Sequence, residues 1–277
     1  MPATSLARSI GVKYLGAGVS YARALAVQQH LVQQRVAAAA EAKAASRPLV
    51  GPPDVLLLLQ HAPTFTAGRR IRGSDDTEGE RLRGLGAEYF ETMRGGQTTF
   101  HGPGQLLGAR TYVERLEQFL IETCLQYDIS AGTTKDTGVW VADRKIAALG
   151  IHISRHITSH GFALNCNTDL SWFDHIVPCG LPDKKVTSIT HELASRRPLA
   201  GSASPTDVTV DSALPVAVKA FGALFGADMV PLDRICARTD REIEALLDSE
   251  ASGGSGPAQP LRTQAPDSEA SAAAAAT

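Results

Sequence analysis

The stretch from residue 139 to residue 167, VWVADRKIAALGIHISRHITSHGFALNCN, decides the fold class of this chain. Val139–Val141, a polar turn at Asp143 and Arg144, and the apolar run 146–153 are typical of a β-hairpin. From Phe162 onward, apolar and polar residues alternate with a period of two, which predicts a further strand. The stretch therefore predicts neighbouring strands of one sheet.

The sequence on either side of this stretch predicts helices and one buried strand. Residues 55–59 are an uninterrupted aliphatic run, which is typical of a strand covered on both faces. Apolar residues at helical spacing predict one helix that begins near Ser20, one over 113–127 and one around 214–225. We therefore expect an α/β fold, a single domain with a mixed β-sheet and flanking helices.

Glycine, proline and polar residues mark the boundaries of this domain. Residues 36–54, 68–86 and 194–206 are predicted as a helix end and loops. Residues 1–11 are predicted as a lead or short targeting segment, and residues 12–249 as the catalytic domain. Residues 250–277 are rich in Gly, Ser, Pro and Ala and predict a disordered tail, because they contain too few apolar groups to offset the entropy of ordering.

Charge and cysteine content exclude several function classes. The 277 residues include 27 basic and 29 acidic side chains, a net charge of −2, which argues against nucleic acid or an anionic membrane as a partner. The four cysteines contain no C-x-x-C pair, and their spacing is typical of a reducing compartment. The first forty residues contain no acidic side chain, as in mitochondrial transit peptides, although a folded segment is also compatible with this composition.

Two patterns resemble ligand sites and are rejected on spacing. In residues 102–108 the third glycine comes one position late for a dinucleotide fingerprint. His152, His156 and His160 are spaced by four, but we predict a strand here, where four residues span about 13 Å, too far for one zinc ion. We therefore predict no metal site and keep only His160 as a supporting residue, because it lies where the strand pattern breaks.

Cys179 is the candidate nucleophile. It follows Pro178 and precedes Gly180, so it is expected on a rigid turn, whereas Cys124 and Cys166 lie on apolar stripes typical of a core. A thiol needs a neighbouring base or cation to form a thiolate at neutral pH. The spacing does not choose among the candidates for that partner, which are His160, His175, Lys145, Lys184 and Lys185.

Five motifs together resemble the lipoyl(octanoyl) transferase family. They are RGGQTTFHGPGQ (94–105), KIAALG (145–150), TSHGFA (158–163), NCNTDLSWFDHIVPCGLPDKKVTSI (165–189) and QHAPTFTAG (60–68). They cover residues 12–225 in the family's order and spacing. The resemblance implies a biotin/lipoate protein ligase-like fold in a monomer that requires no cofactor. It also implies transfer of an octanoyl group from octanoyl-acyl carrier protein to a lysine of lipoyl domains, those of 2-oxo acid dehydrogenases and the glycine cleavage H protein.

The same resemblance assigns roles to individual residues. Cys179 would carry the acyl group as a thioester, and Lys145 would activate it. The implied substrate-binding residues are Arg94, Gly95, Gly96, Gln97, Thr98, Thr99, Phe100, His101, Ala148, Leu149, Gly150, Gly161, Phe162 and Ala163. Phe100 replaces the family's usual tyrosine, and Cys166 stands where an aliphatic residue is usual.

Two alternative functions are compatible with the sequence. An ATP-dependent lipoate or biotin ligase would share the fold, and GRRIRG (68–73) resembles the adenylate-binding loop of such enzymes. Ligases need no nucleophilic cysteine, so Cys179 favours transfer. A non-catalytic protein that binds lipoyl domains or fatty acids is the second alternative. We expect a mitochondrial protein if the source is eukaryotic and a cytoplasmic one if it is bacterial.

Overall fold

The structure is a computed structural model that describes residues 8–48, 51–68, 77–109, 113–154, 157–177, 183–196 and 207–249. Its strands are β1 (Arg8–Tyr14), β2 (Val55–Leu59), β3 (Thr64–Ala67), β4 (Glu88–Glu91), β5 (Thr99–His101), β6 (Gln105–Ala109), β7 (Val139–Val141), β8 (Arg144–Ser154), β9 (Ile157–Asn165), β10 (Lys185–Val186) and β11 (Ala227–Pro231). Its helices are α1 (Tyr21–Ala44), α2 (Thr77–Arg83), α3 (Val113–Leu125), a 3₁₀ turn (Leu170–His175), α4 (Ile189–Ser195), α5 (Val210–Phe225) and α6 (Leu232–Ser249).

A large mixed sheet forms the centre of the described chain. Its strand order is β10-β8-β9-β6-β2-β1-β11, and β7 pairs with β8. Strand β1 is parallel to both β2 and β11, whereas β2, β6, β9 and β8 form an antiparallel series. The predicted α/β class with a mixed sheet and flanking helices is confirmed.

Both faces of this sheet are covered, which explains the aliphatic run in β2. Leu56 and Leu58 pack into the core that α3 and α5 cover. Leu57 and Leu59 face the opposite side, toward α1 and α6. A central strand buried on both faces needs apolar residues at every position. Its sequence is therefore a continuous apolar run and not an alternation of apolar and polar residues.

A second, three-stranded sheet has the order β4-β3-β5 and lies over an aromatic cluster. Phe65 and Phe100 are fully buried there, and the Phe100 ring stacks on Trp172 with centroids 5.1 Å apart and planes 5° from parallel. The 3₁₀ turn contributes Phe173 to the same cluster. This cluster anchors the chain that leads toward residue 178.

Several boundaries differ from the sequence prediction. Helix α1 begins where expected, with Ser20 as N-cap, but it continues to Ala44 because residues 37–44 are strong helix formers. Helix α2 lies inside the predicted loop 68–86; its first turn is acidic and its last turn basic, and Leu82 is fully buried. Strand β1 begins at Arg8, so the predicted lead 1–11 overlaps the sheet.

The histidine series is divided between two strands of a hairpin and is not on one strand. His152 in β8 pairs with Ser159, and His160 in β9 pairs with Ile151. The prediction of a single extended strand is wrong here, because β8 ends at Ser154 and β9, which begins at Ile157, is antiparallel to it; His156 lies outside the described residues. Among the described residues, no three His, Cys, Asp or Glu side chains gather as a metal site would require.

The remaining predictions about the core and the ends have mixed outcomes. Cys124 and Cys166 are fully buried in the main core, as predicted. The predicted tail 250–277 lies outside the described residues. Across the described ranges, no helix is both long and apolar enough to cross a membrane.

Candidate active site

A solvent-open cleft with a cavity volume of about 120 Å³ lies between helix α1, the loop that begins at Arg94 and one face of the main sheet. Helix α1 and strand β2 contribute Tyr21, Ala24, Leu25, Gln28, Leu57 and Leu59. The rest of the lining is His61, Arg94, Gly95, Gly96, Gln97, Thr99, His101, Leu107, Gly108, Ala148, Leu149, Gly150, Gly161, Phe162 and Ala163. The lining is predominantly apolar.

Small residues on two neighbouring strands make a groove in the floor of the cleft. Ala148 of β8 lies directly opposite Ala163 of β9, and Gly150 lies opposite Gly161. These cross-strand pairs share one face of the sheet because side chains alternate along a strand. We define these four residues as the acyl groove. Ala148 and Ala163 add only methyl groups to this face of the cleft, whereas Gly150 lets the loop that begins at Arg94 pack against the sheet, since a Cβ there would lie 3.0 Å from Arg94 Cδ.

Arg94 organises the wall opposite the groove. Its side chain is buried, and its guanidinium donates to the carbonyls of Gly95 and Gln97 at 2.9 Å and to the hydroxyl of Thr66 at 2.7 Å. The loop lies so close to β3 that a Cβ on Gly68 would be 2.2 Å from the Gly96 carbonyl oxygen. The glycines in this motif therefore allow two backbones to approach each other beside the cleft.

Two buried histidines border the cleft with defined proton positions. His61 Nδ1 lies 2.8 Å from the Val19 carbonyl, which can only accept, so Nδ1 carries the proton. Burial lowers the pKa of His61 to about 4, so the ring is neutral at pH 7. The prediction did not include His61 among the site residues, although it belongs to the motif QHAPTFTAG.

The orientation of His101 is set by a chain of buried amides. Gln105 donates from Nε2 to Asn165 Oδ1 at 2.7 Å, so its Oε1 faces His101 Nδ1 at 2.8 Å as the acceptor. Asn165 in turn donates to the carbonyl of Thr187 at 2.9 Å, and the Thr187 amide donates to the carbonyl of Lys145 at 2.9 Å. One hydrogen-bonded series therefore links the cleft histidine to the backbone of Lys145.

A β-bulge in β8 brings Lys145 to the cleft face of the sheet. Val139 pairs with Ala147 but the next residue, Trp140, pairs with Lys145, so Ile146 is an extra residue on β8. Ile146 and Ala147 both pack into the core under α3 and α5. The bulge therefore reverses the alternation, and Lys145 shares the face of Ala148 and Gly150.

The surroundings of Lys145 are buried and mostly uncharged. Its Nζ donates to the carbonyl of Thr137 at 3.0 Å and lies 4.6 Å from the centre of the Trp140 ring. The side chain of Lys145 is buried, as is that of Trp140. Lys145 is not among the described residues that line the cleft, so its access to a group in the cleft stays a prediction.

Cys179 lies outside the described residues, so its pairing with Lys145 stays a prediction. The chain on its C-terminal side returns to β8, because β10 runs parallel to β8 with Lys185 opposite Arg144 and Val186 opposite Lys145. Lys184 Nζ lies 5.9 Å from the same Trp140 ring that Lys145 contacts. The side chain of His160 is also outside the described part of the structure.

Most of the predicted substrate-binding residues gather at the cleft. Thr98 and Phe100 are not among the described residues that line it. The reason is the strand period: in β5, Thr99 and His101 face the cleft, whereas Phe100 faces the aromatic cluster on the other side. The contact of Thr98 and Phe100 with substrate stays a prediction. The wall from α1 was not predicted, because nothing in its helical periodicity identifies the surface it covers.

A model of the lipoyl protein ligase A/B catalytic domain matches residues 20–221 of this sequence. The chain belongs to this family. The predicted resemblance to the lipoyl(octanoyl) transferases is confirmed by curated relatives. A mitochondrial octanoyl-[acyl-carrier-protein]:protein N-octanoyltransferase of Danio rerio is 42% identical over 223 residues, which are 76% of this chain and 90% of that protein. An octanoyltransferase of Rubrobacter xylanophilus is 41% identical over 207 residues, 70% of this chain and 88% of that protein.

Solved structures of the lipoyl protein ligase family share the fold. A lipoate protein ligase of T. acidophilum with bound lipoic acid aligns with a TM-score of 0.61 at 13% identity, covering 87% of this chain and 94% of that one. Lipoate-protein ligase A bound with ATP aligns with a TM-score of 0.55 at 13% identity, covering 90% of this chain and 97% of that one. At this identity the likeness concerns the fold alone.

Proposed function

We propose that this protein transfers an octanoyl group from octanoyl-acyl carrier protein to a lysine of a lipoyl domain, through a thioester on Cys179 that Lys145 activates. The observation that carries the proposal is the bulge in β8, which places the Lys145 side chain on the same sheet face as the acyl groove. The curated relatives named octanoyltransferases support the same reaction class.

Transfer proceeds in two exchanges. The Cys179 thiolate, favoured by the Lys145 ammonium, attacks the thioester carbonyl of the acyl carrier. The resulting tetrahedral intermediate expels the carrier's thiolate, which takes up a proton, and leaves octanoyl on Cys179. The amine of the acceptor lysine then attacks this thioester, loses a proton and expels the Cys179 thiolate. Each exchange develops negative charge on the carbonyl oxygen, which backbone amides at the glycine turns would stabilise.

The acyl groove supplies the binding energy without ATP. Each buried methylene contributes on the order of 0.8 kcal/mol, so an eight-carbon chain is held by burial alone. Activation by ATP is unnecessary, because the donor is already a thioester. The mainly apolar lining of the cleft agrees with this substrate.

Intact-mass spectrometry after incubation with octanoyl-acyl carrier protein tests the proposal. We expect the wild-type chain to gain one octanoyl group on Cys179, Cys179→Ala to gain none, and Lys145→Ala to react at least tenfold more slowly because the thiolate loses its cation. Cys236→Ala and Lys219→Ala serve as matched controls on α6 and α5 and should react like wild type.

Two outcomes would contradict octanoyl transfer. ATP-dependent lipoylation that persists in a Cys179→Ala, Lys145→Ala double variant would make the protein a ligase. Binding of the acyl carrier without any octanoyl-enzyme, while a known octanoyltransferase reacts with the same carrier, would make it a non-catalytic binding protein.

We also propose that the protein acts in mitochondria. Relatives from Danio rerio, Drosophila melanogaster and Arabidopsis thaliana carry mitochondrial names, at 42%, 44% and 44% identity.

A further inference from the structure

We propose that Trp140 is a positioning residue for Lys145: the face of its indole holds the lysine ammonium on the cleft side of β8. The inference rests on the proposed function, in which Lys145 activates Cys179. The ammonium nitrogen lies 4.6 Å from the ring centre, within the range of a cation–π interaction. Trp140 is 3% exposed and Lys145 is 7% exposed, so water competes little with this contact.

One hydrogen bond fixes the indole, and further bonds fix the backbone that carries it. Its Nε1–H donates to the Asp136 carbonyl at 3.0 Å. The backbone of Trp140 exchanges two hydrogen bonds with Gly132, both 2.8 Å long. The amide of Gly138 donates to Glu117 of α3 at 2.9 Å, which ties the preceding turn to the core. The ring therefore has a set position relative to β8.

The aliphatic part of Lys145 runs past Gly138 to reach the ring. A Cβ on Gly138 would lie 3.1 Å from Lys145 Cε and 2.9 Å from the Ala147 carbonyl oxygen, and the φ of +130° there disfavours any other residue. We define the Trp140 ring, the Thr137 carbonyl and Gly138 as the lysine cradle. All three act on the side chain of Lys145 and none carries a charge.

An uncharged cradle has a chemical consequence. Among the described residues, no carboxylate lies within salt-bridge distance of Lys145. A carboxylate would cancel the charge of the ammonium, whereas an aromatic face stabilises the ammonium through its quadrupole and leaves its net charge in place. The full positive charge of Lys145 is then available to the Cys179 thiolate of the proposed function.

The same ring contacts the chain that leads away from Cys179. Lys184 Nζ lies 5.9 Å from the Trp140 ring centre, and Lys184 is separated from Cys179 by only four residues. Trp140 thus lies close to Lys145 and to Lys184, which follows the nucleophile in the sequence. This position fits a residue that acts on the thiolate through Lys145.

The test measures how fast iodoacetamide alkylates Cys179 as a function of pH in full-length variants, with peptide mass spectrometry to identify the site. In Trp140→Leu we expect alkylation at pH 7 to be about tenfold slower and its pH profile to move to higher pH, because the ammonium is no longer held. Trp140→Phe, which keeps an aromatic face, should recover part of the rate. Phe225→Leu removes a cation–π contact of the same kind, with Arg115 at 5.8 Å, and should leave the profile unchanged.

Fluorinated tryptophan keeps the test valid if Trp140→Leu folds poorly. In a Trp172→Phe background, only Trp140 takes up the analogue. Fluorine barely changes the shape of the ring but weakens its negative face, so mono- and difluorotryptophan should slow alkylation in steps. A structural role alone would give no graded response.

The outcomes separate this inference from the proposed function. If Lys145→Ala moves the pH profile and neither Trp140→Leu nor the fluorinated series does, the role of Trp140 is overturned and the proposed function stands. If Lys145→Ala itself leaves the profile at the wild-type position, the activating role of Lys145 is contradicted and the inference falls with it. A shift of the pH profile in both Lys145→Ala and Trp140→Leu, with partial recovery in Trp140→Phe, supports the role of Trp140 and the proposed function.

Discussion

At the scale of single residues, the candidate site depends on side chains that are buried and yet polar. His61, His101, Gln105 and Asn165 are all buried beside or behind the cleft, and each has a hydrogen-bond partner. A buried polar group without a partner would cost free energy, so these residues fix each other's orientation. Composition and spacing identify such residues poorly, because a histidine or glutamine looks the same whether it is buried or exposed.

His61 makes the stability of the protein depend on pH. Burial lowers its pKa to about 4, whereas an unfolded histidine titrates near 6.5. Between these values the unfolded chain binds a proton that the folded chain does not, so stability falls as the pH falls from 6.5 to 4. We expect His61 to account for about 3 kcal/mol of this loss.

His61→Asn isolates this contribution, because asparagine keeps a donor for the Val19 carbonyl and does not titrate. Urea unfolding at pH 7 and at pH 4 measures it. The difference in unfolding free energy between the two pH values should be smaller in His61→Asn than in wild type by about 3 kcal/mol. Equal differences in the two proteins would contradict the assignment.

At the scale of elements, the hairpin of β7 and β8 shows what sequence patterns can and cannot predict. The strands follow from apolar runs and the structure confirms them, with the turn at Ala142 and Asp143, one residue earlier than predicted. The bulge at Ile146 does not follow, because strict alternation would place Lys145 on the face of Ala147. Only the packing of Ile146 and Ala147 into the same core reverses the register. The family motif KIAALG predicts Lys145 as a candidate but does not predict the bulge that sets the face of the sheet on which it lies.

We expect the small residues of the acyl groove to determine how long an acyl chain fits. Ala148→Leu adds three carbons to the floor of the groove and should lower the catalytic efficiency with octanoyl carrier roughly 50-fold, at about 0.8 kcal/mol for each methylene displaced. Activity with a butyryl carrier should be retained. Ala148→Gly, the matched variant, should keep octanoyl transfer and favour a longer chain. Steady-state kinetics with carriers of different acyl length measure this; an equal loss for every length in Ala148→Leu would show that Ala148 does not contact the chain.

At the scale of the whole molecule, the candidate site draws on elements far apart in the sequence. Helix α1, the loop after β4, and strands β8 and β9 meet only because the mixed sheet folds them together. The sequence motifs could be recognised separately, but the α1 wall and the proximity of Trp140 to Lys145 depend on long-range pairing. Strand β1 also brings together parts of the chain that are far apart in sequence, because it pairs with both β2 and β11.

The position of β1 limits where a mitochondrial form of the chain can begin. Arg8–Tyr14 lies between β2 and β11, and residues 8 to 12 pair with 227 to 231. If the full chain, tagged at its C-terminus, is imported into isolated mitochondria, we expect the N-terminus of the imported protein to lie at or before Arg8.

Deletion of residues 1–7 keeps every described pair of β1, whereas deletion of residues 1–11 removes most of its pairs with β11 and should lower the melting temperature markedly. Thermal unfolding of the two truncated proteins and N-terminal sequencing of the imported protein check both statements. An imported protein that begins after Gly11 and melts like the full chain would contradict the role of β1, and exclusion of the chain from mitochondria would contradict the proposed localisation.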